Sequence, residues 1–270
     1  MKMLFQDGKK KALTLSYDDG TMQDIRFKEI LDKNGIRCAF NISSGRYPEE
    51  EPHELKGKMT KPTAIALLKG TPHEVALHGY NHLSLTELSD EEIVFQINED
   101  RKNLEKDFGK VIRGFAFPYG TYNEHVLEIL QKLGITYARS IYSTEKFDLP
   151  KTWLPLHPTC HHGCERLMEL AKRFVEEDTN EAQMFYLWGH SYEFDKSDNW
   201  YVIEEFAKYA GNRDNIWYAT NTEIYDYIKA FEALDVSLDG KTVKNPSAID
   251  VFIEEDGKAV CIKSGETIIL

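Results

Sequence analysis

Ala12-Leu13-Thr14-Leu15-Ser16-Tyr17-Asp18-Asp19-Gly20 is an apolar run that ends on two adjacent carboxylates and a glycine. The run reads as a buried strand, short and apolar, as the strands of a parallel sheet covered on both faces are. Two neighbouring carboxylates at its tip repel each other, and each costs on the order of several kcal/mol to desolvate without a partner. The commonest compensation is a cation, so the remainder of the chain is read for further ligands.

Seven more segments share the strand character, at 37–42, 74–78, 111–117, 135–141, 152–157, 183–189 and 215–220. They alternate with helical periods at 24–33, 90–108, 124–133, 164–177, 199–210 and 222–233. Ser89 and Glu92 have capping-box spacing at the start of one helix, and Asn34-Gly35 closes another. Repeated strand–helix units predict an α/β fold with a parallel sheet, and seven or eight of them favour a closed (β/α) barrel over an open sheet. No Gly-x-Gly-x-x-Gly follows any strand candidate, which excludes the dinucleotide-binding version of the open sheet. The expected division is a barrel over 1–234 and a small C-terminal β extension over 235–270, packed on it. In that extension Val251-Phe252-Ile253 and Val260-Cys261-Ile262 flank the hairpin signal Glu255-Asp256-Gly257-Lys258, and Ile268-Ile269-Leu270 could add a third strand.

A net charge of −12 over 270 residues argues against nucleic acid or an anionic membrane as partner. No apolar run approaches the roughly 20 residues of a membrane span, and the first residues lack the apolar segment of a signal peptide. Cys38, Cys160, Cys164 and Cys261 are too few for a disulfide scaffold. The expectation is a reduced cytoplasmic protein whose partner is a small molecule and neither nucleic acid nor a membrane.

The carboxyl ends of the predicted strands carry Asp18-Asp19, Asn41 with Ser43 and Ser44, His78 with His82, Pro118-Tyr119-Gly120, Arg139-Ser140, His157, His190 and Asn221. Active sites of barrels and open α/β sheets form at that end. Taken singly, Asp-Asp-Gly is a turn signal, a His-x-x-x-His pair arises readily by chance, and His190 reads as a buried core histidine. Their coincidence at strand ends is what points to a site. His78, His82 and one aspartate make a two-histidine, one-carboxylate set that leaves positions open on a divalent metal, and the other aspartate can act as a base. His190 can protonate a leaving group. That is the chemistry of a hydrolase.

With these residues in hand, the chain resembles the polysaccharide deacetylases, the NodB-homology or carbohydrate esterase 4 family. Leu15-Ser16-Tyr17-Asp18-Asp19-Gly20, His78-Gly79-Tyr80-Asn81-His82, Phe117-Pro118-Tyr119-Gly120 and Leu187-Trp188-Gly189-His190 resemble its first, second, third and last motifs. The resemblance spans about 11–233 and implies a distorted barrel and removal of an N-acetyl group from a sugar. It implies Asp18 as general base and His190 as acid. Asp19, His78 and His82 would be ligands of a divalent metal, zinc first, with cobalt, nickel or manganese as alternatives. Tyr119 would donate its backbone N–H to the oxyanion, Pro118 would wall the groove, and Trp188 would give an apolar wall.

Two departures stand out. The arginine usual two residues before the third motif's proline is Ala116 here, and the acidic fourth motif is replaced by Arg139-Ser140-Ile141-Tyr142-Ser143. The expectation is that Arg139 reaches Asp18 from its own strand and keeps it ionised; the bland alternative is pairing with a helix carboxylate. In His157-Pro158-Thr159-Cys160-His161-His162-Gly163-Cys164, a second metal site is one reading and a pocket-shaping loop with His161 touching ligand is the other. Hydrolysis of another amide, an imide or an O-acetyl ester, or a sugar-binding protein weakened in catalysis, are the competing functions.

Overall fold

The computed structural model describes residues 1–50, 52 and 57–270. After a short strand β1 (Lys2–Leu4), the quoted run becomes β2 (Lys11–Asp18), in which every residue is buried. Its odd positions Leu13, Leu15 and Tyr17 pack outward, in one cluster with Phe27 and Leu31 of helix α1 (Asp24–Lys33). Burying one such side chain contributes about 1.5–3 kcal/mol. Three of its even positions are polar and bond to side chains from other parts of the chain: Thr14 Oγ1 donates to Asn221 Oδ1, Asn41 Nδ2 donates to Ser16 Oγ, and Arg139 donates to Asp18. The two-residue period of a strand thus separates a greasy outer face from a polar inner one.

The chain continues through β3 (Cys38–Ile42), α2 (Lys61–Leu68), β4 (Glu74–Leu77), α3 (Asp90–Phe108), β5 (Gly114–Ala116), α4 (Glu124–Lys132) and β6 (Tyr137–Arg139). Then follow β7 (Cys160–His161), α5 (Leu167–Glu176), β8 (Gln183–Gly189), α6 (Tyr192–Lys196), α7 (Tyr201–Ala210), β9 (Ile216–Tyr218) and α8 (Asn221–Glu232). The parallel ladder runs β6-β5-β4-β3-β2-β8-β7, with β9 beside the first residues of β2. Its edges meet through the segment between β6 and β8. Leu156 N donates to Ala138 O at 2.7 Å on one side, and Thr159 N donates to Tyr186 O at 2.8 Å on the other. The result is the expected curled (β/α) barrel. Ser89 and Glu92 form the expected capping box on α3, which ends at Gly109 with φ 69°.

Three sequence expectations change. The segment 152–157 is not a regular strand; it makes a single bridge, Arg139 to Leu156, and the strand lies at Cys160–His161 instead. Pro155 and Pro158 have no N–H for a ladder, which confines pairing to isolated contacts. Helix α2 was not foreseen. The predicted third strand of the tail joins a different sheet. β12 (Val251–Glu255) and β13 (Lys258–Ile262) form the expected hairpin, turning on Asp256 and Gly257, both at positive φ. Their partner is β1 from the N-terminus. β14 (Thr267–Ile269) pairs with β11 (Thr242–Lys244), beside β10 (Asp235–Val236). Val243, Val251, Ile253 and Ile262 of this extension pack with Ala230 of α8. No described helix is long and apolar enough to cross a membrane.

Candidate active site

At the carboxyl mouth of the barrel, Asp18, Asp19, His78, His82, Tyr119, Trp188, His190 and Tyr192 line a cleft of about 330 Å³, with Phe117 and Ile141 among its apolar walls. Asp19, His82 and Tyr119 hold positive φ angles of 82°, 55° and 58°. Each costs on the order of 1–3 kcal/mol for a side-chain-bearing residue, and such strain clusters where geometry serves a site.

Donor atoms of Asp19, His78 and His82 all lie within 4.8 Å of one another. His78 Nδ1 is 2.9 Å from Ala116 O, so it carries the proton and Nε2 keeps its lone pair. The His78 backbone N–H is held by buried Asp100 at 3.2 Å. Burial lowers the pKa of both histidines, and His78 beside it helps bring His82 to about 4. Both rings are therefore neutral at physiological pH, as a ligand must be. Burial raises the Asp19 pKa, but the Lys58 ammonium and the two imidazoles outweigh it and bring it to about 2. Lys58 Nζ donates to both Asp19 Oδ1 and Asp19 O at 2.9 Å. His82 Nδ1 is buried with no hydrogen-bond partner among the described residues. His82 turns its other nitrogen, Nε2, to within 3.8 Å of Asp19 Oδ1, and two neutral imidazoles with one ionised carboxylate are a donor set that fits a divalent cation.

Asp18 is almost fully buried behind this trio. Its Oδ1 accepts from Asn41 Nδ2 at 2.7 Å, and its Oδ2 accepts from Arg139 Nη2. Burial pushes its pKa up, yet Arg139, His78 and His190 together hold it below the usual carboxylate range. His190 Nε2 stands 3.6 Å from the same Oδ2.

The sequence profile described as polysaccharide deacetylase matches residues 5–138, a span holding Asp18, Asp19, His78, His82 and Tyr119. This chain belongs to the polysaccharide deacetylase family. A Staphylococcus aureus poly-beta-1,6-N-acetyl-D-glucosamine N-deacetylase is 28% identical over 182 residues, 63% of this chain and 61% of that protein. The chain therefore spans about three fifths of that relative's length. A candidate polysaccharide deacetylase from Mycobacterium smegmatis superposes with a TM-score of 0.60 at 16% identity, over 86% of this chain and 95% of that one. A Bacillus anthracis pseudoenzyme of carbohydrate esterase family 4 superposes at 0.50 and 16% identity, over 80% of this chain and 66% of that one. At these identities the superpositions establish the fold.

In this deacetylase-family chain the residues named from sequence divide into a lining set and a supporting set. Tyr119 is 65% exposed at the cleft edge, its ring centroid 4.7 Å from that of His82. Trp188 forms the opposite wall, and Arg139 lies behind it with its guanidinium 4.5 Å from the Trp188 ring centre. Pro118 is buried, 3.6 Å from where a Cβ on Gly79 would sit. His161 does not line the cleft; its Nε2 lies 3.1 Å from Glu193 Oε2, and its ring backs Trp188 at 4.6 Å. Two strand-end residues named above stay away from the cleft. His157 pairs with Ser140 at 2.6 Å, and Asn221 sits inside the barrel between Thr14 and Tyr186, because β9 reaches only the first half of β2. Cys160 packs into the core, and neither it nor Cys164 joins a cation-ligand grouping among the described residues.

Sequence reasoning missed Glu193 and Lys58. Glu193, on the short α6, lies 3.2 Å from His190 Nδ1, 3.1 Å from His161 Nε2 and 3.0 Å from His162 Nε2. Burial raises its pKa, but the three imidazoles overcome that and hold it far below the carboxylate range. Burial lowers the His190 pKa, yet Glu193 and Asp18 more than reverse this, leaving it raised. Its position three residues after His190 was the available signal; Lys58, on a loop, had none.

Proposed function

We propose that this chain hydrolyses the N-acetyl group of an acetylated glucosamine saccharide, releasing acetate and a free amine. The observation that carries the reading is the meeting of Asp18 and His190 beside the Asp19–His78–His82 trio in one cleft. The saccharide class follows the name of the Staphylococcus aureus relative. A divalent cation, zinc first, would be held by Asp19, His78 and His82 and would supply Lewis acidity toward the acetamide carbonyl and toward water.

The chain's own residues do the following. Asp18, kept ionised by Arg139, takes a proton from the attacking water as the new C–O bond forms. The backbone N–H of Tyr119 is the donor we assign to the carbonyl oxygen as charge develops on it. His190, whose charged form Glu193 favours, gives its Nε2 proton to the nitrogen as the C–N bond breaks. The 3.6 Å between His190 Nε2 and Asp18 Oδ2 lets the proton gained by one return to the other, so each turnover restores both groups. Trp188 and Tyr192 are among the aromatic side chains lining the cleft, and exposed Tyr119 offers a ring for a sugar face.

The test is acetate release from N-acetylglucosamine oligomers by zinc-loaded protein, with an Asp18→Asn variant alongside. The expected result is turnover that a chelator abolishes and that Asp18→Asn lowers by about 10²–10⁴-fold at unchanged metal content. No acetate from N-acetylated saccharides by metal-loaded protein overturns the reading, and acetate from O-acetyl esters alone moves it to esterase chemistry.

A further inference from the structure

We propose that His161, His190 and Glu193 form a second, inhibitory site for a divalent cation of the zinc class, next to the catalytic cleft. The donor atoms of these three side chains lie within 4.8 Å of one another. His161 Nε2 and His190 Nδ1 stand 3.1 and 3.2 Å from the two oxygens of Glu193. In a tetrahedral zinc site with bonds of 2.0–2.1 Å, neighbouring ligand atoms are about 3.3 Å apart. Two of the cluster's nitrogen–oxygen separations already match such an edge, one to each oxygen of Glu193, and a cation would draw the two imidazoles onto one carboxylate from within 4.8 Å. Nitrogen and carboxylate donors together suit zinc better than magnesium or calcium.

The surroundings prepare it. His162 Nε2 holds Glu193 Oε2 at 3.0 Å while its Nδ1 meets Tyr17 OH at 3.1 Å, so the carboxylate is oriented by a buried partner. His161 and Glu193 side chains are 28% and 30% exposed, and His190 is 21% exposed, which gives a cation entry from solvent. Binding exchanges protons for the cation. His190 gives up the proton on Nδ1 and keeps one on Nε2. His161, whose Nδ1 now accepts from Gly163 N at 3.0 Å, must move its proton to Nδ1 and release that contact. That cost makes this the weaker of the two sites.

Inhibition follows from the His190 ring and rests on the acid role proposed above. With a cation on Nδ1 the ring cannot be an imidazolium, and its Nε2–H is too weak an acid to protonate an amine. Zinc would thus activate at the first equivalent and inhibit at the second.

The test is calorimetric titration of metal-free protein with zinc alone, for wild type, His161→Gln and His82→Gln, each checked for fold by circular dichroism. Wild type is expected to bind two equivalents, tight and weak. His161→Gln should weaken the second by at least about tenfold, and His82→Gln should weaken the first only. The zinc concentration that half-inhibits acetate release should rise in His161→Gln by the same factor. A single equivalent in wild type, or a second one unaffected by His161→Gln, overturns the proposal. Two equivalents with the expected variant pattern but no deacetylation would sustain the site and overturn the deacetylase reading instead.

Discussion

Arg139 and Asp18, 121 residues apart in sequence, meet inside the barrel with Arg139 Nη2 donating to Asp18 Oδ2. The guanidinium is completely buried and stacks against Trp188, and its Nε and Nη1 have no hydrogen-bond partner among the described residues. An arginine is kept under such conditions by its charge on Asp18, which sets the state of the proposed base.

Replacing Arg139 by Met should therefore raise the Asp18 pKa, because burial then acts without the largest opposing charge. The base works only when deprotonated, so activity is lost as pH falls through that pKa. The acidic limb of kcat/KM should move to higher pH. Breaking a buried pair should also cost about 3–5 kcal/mol of stability by denaturant unfolding. An unmoved acidic limb in a folded variant would remove Arg139 from the tuning of Asp18.

Glu193→Gln tests the other limb. The acid works only when protonated, so activity falls as pH rises through the His190 pKa, which Glu193 helps raise. The variant should shift the basic limb to lower pH and reduce kcat more than it raises KM. Measurements belong at the lowest zinc concentration that fills the first site. A basic limb that stays in place would reduce Glu193 to a packing role.

Lys58 Nζ holds Asp19 Oδ1 at 2.9 Å, so a cation drawing on the Asp19 carboxylate would meet its charge. Lys58→Met should tighten zinc binding at the Asp19–His78–His82 trio by several-fold to about tenfold, where tenfold corresponds to about 1.4 kcal/mol. Competition with a chromogenic chelator reads this directly. Weaker binding in the variant would mean that Lys58 helps shape the trio instead of opposing the cation.

Gly189 is the last residue of β8 and has no room for a side chain, since a Cβ there would lie 2.0 Å from His162 Nδ1. Gly189→Ala should destabilise the protein by about 1–3 kcal/mol, the usual cost of overpacking. It should also displace His162 from Glu193 and so depress activity. A variant with wild-type melting temperature and activity would show that the His162 loop gives way freely.

Whatever depends on short-range pattern in this protein was legible in its residues. Strand–helix periodicity specified the barrel, because parallel strands covered on both faces must read as apolar runs separated by amphipathic helices. Strand-end position then put Asp18, Asp19, His78, Tyr119 and His190 at one mouth, since all strands of a parallel sheet finish on the same side. His82 came with His78 by spacing alone. Which polar residues meet across the barrel was settled by folding. That depends on register and on where each strand stops. β9 stops beside the first half of β2, so Asn221 is interior, and prolines break up 152–157, so His157 turns to Ser140. Glu193 reaches three histidines from a five-residue helix, and Lys58 reaches Asp19 from a loop. The two adjacent carboxylates at the end of β2 thus drew their ligands from local motifs, but their counter-charges came from segments that folding alone brings near.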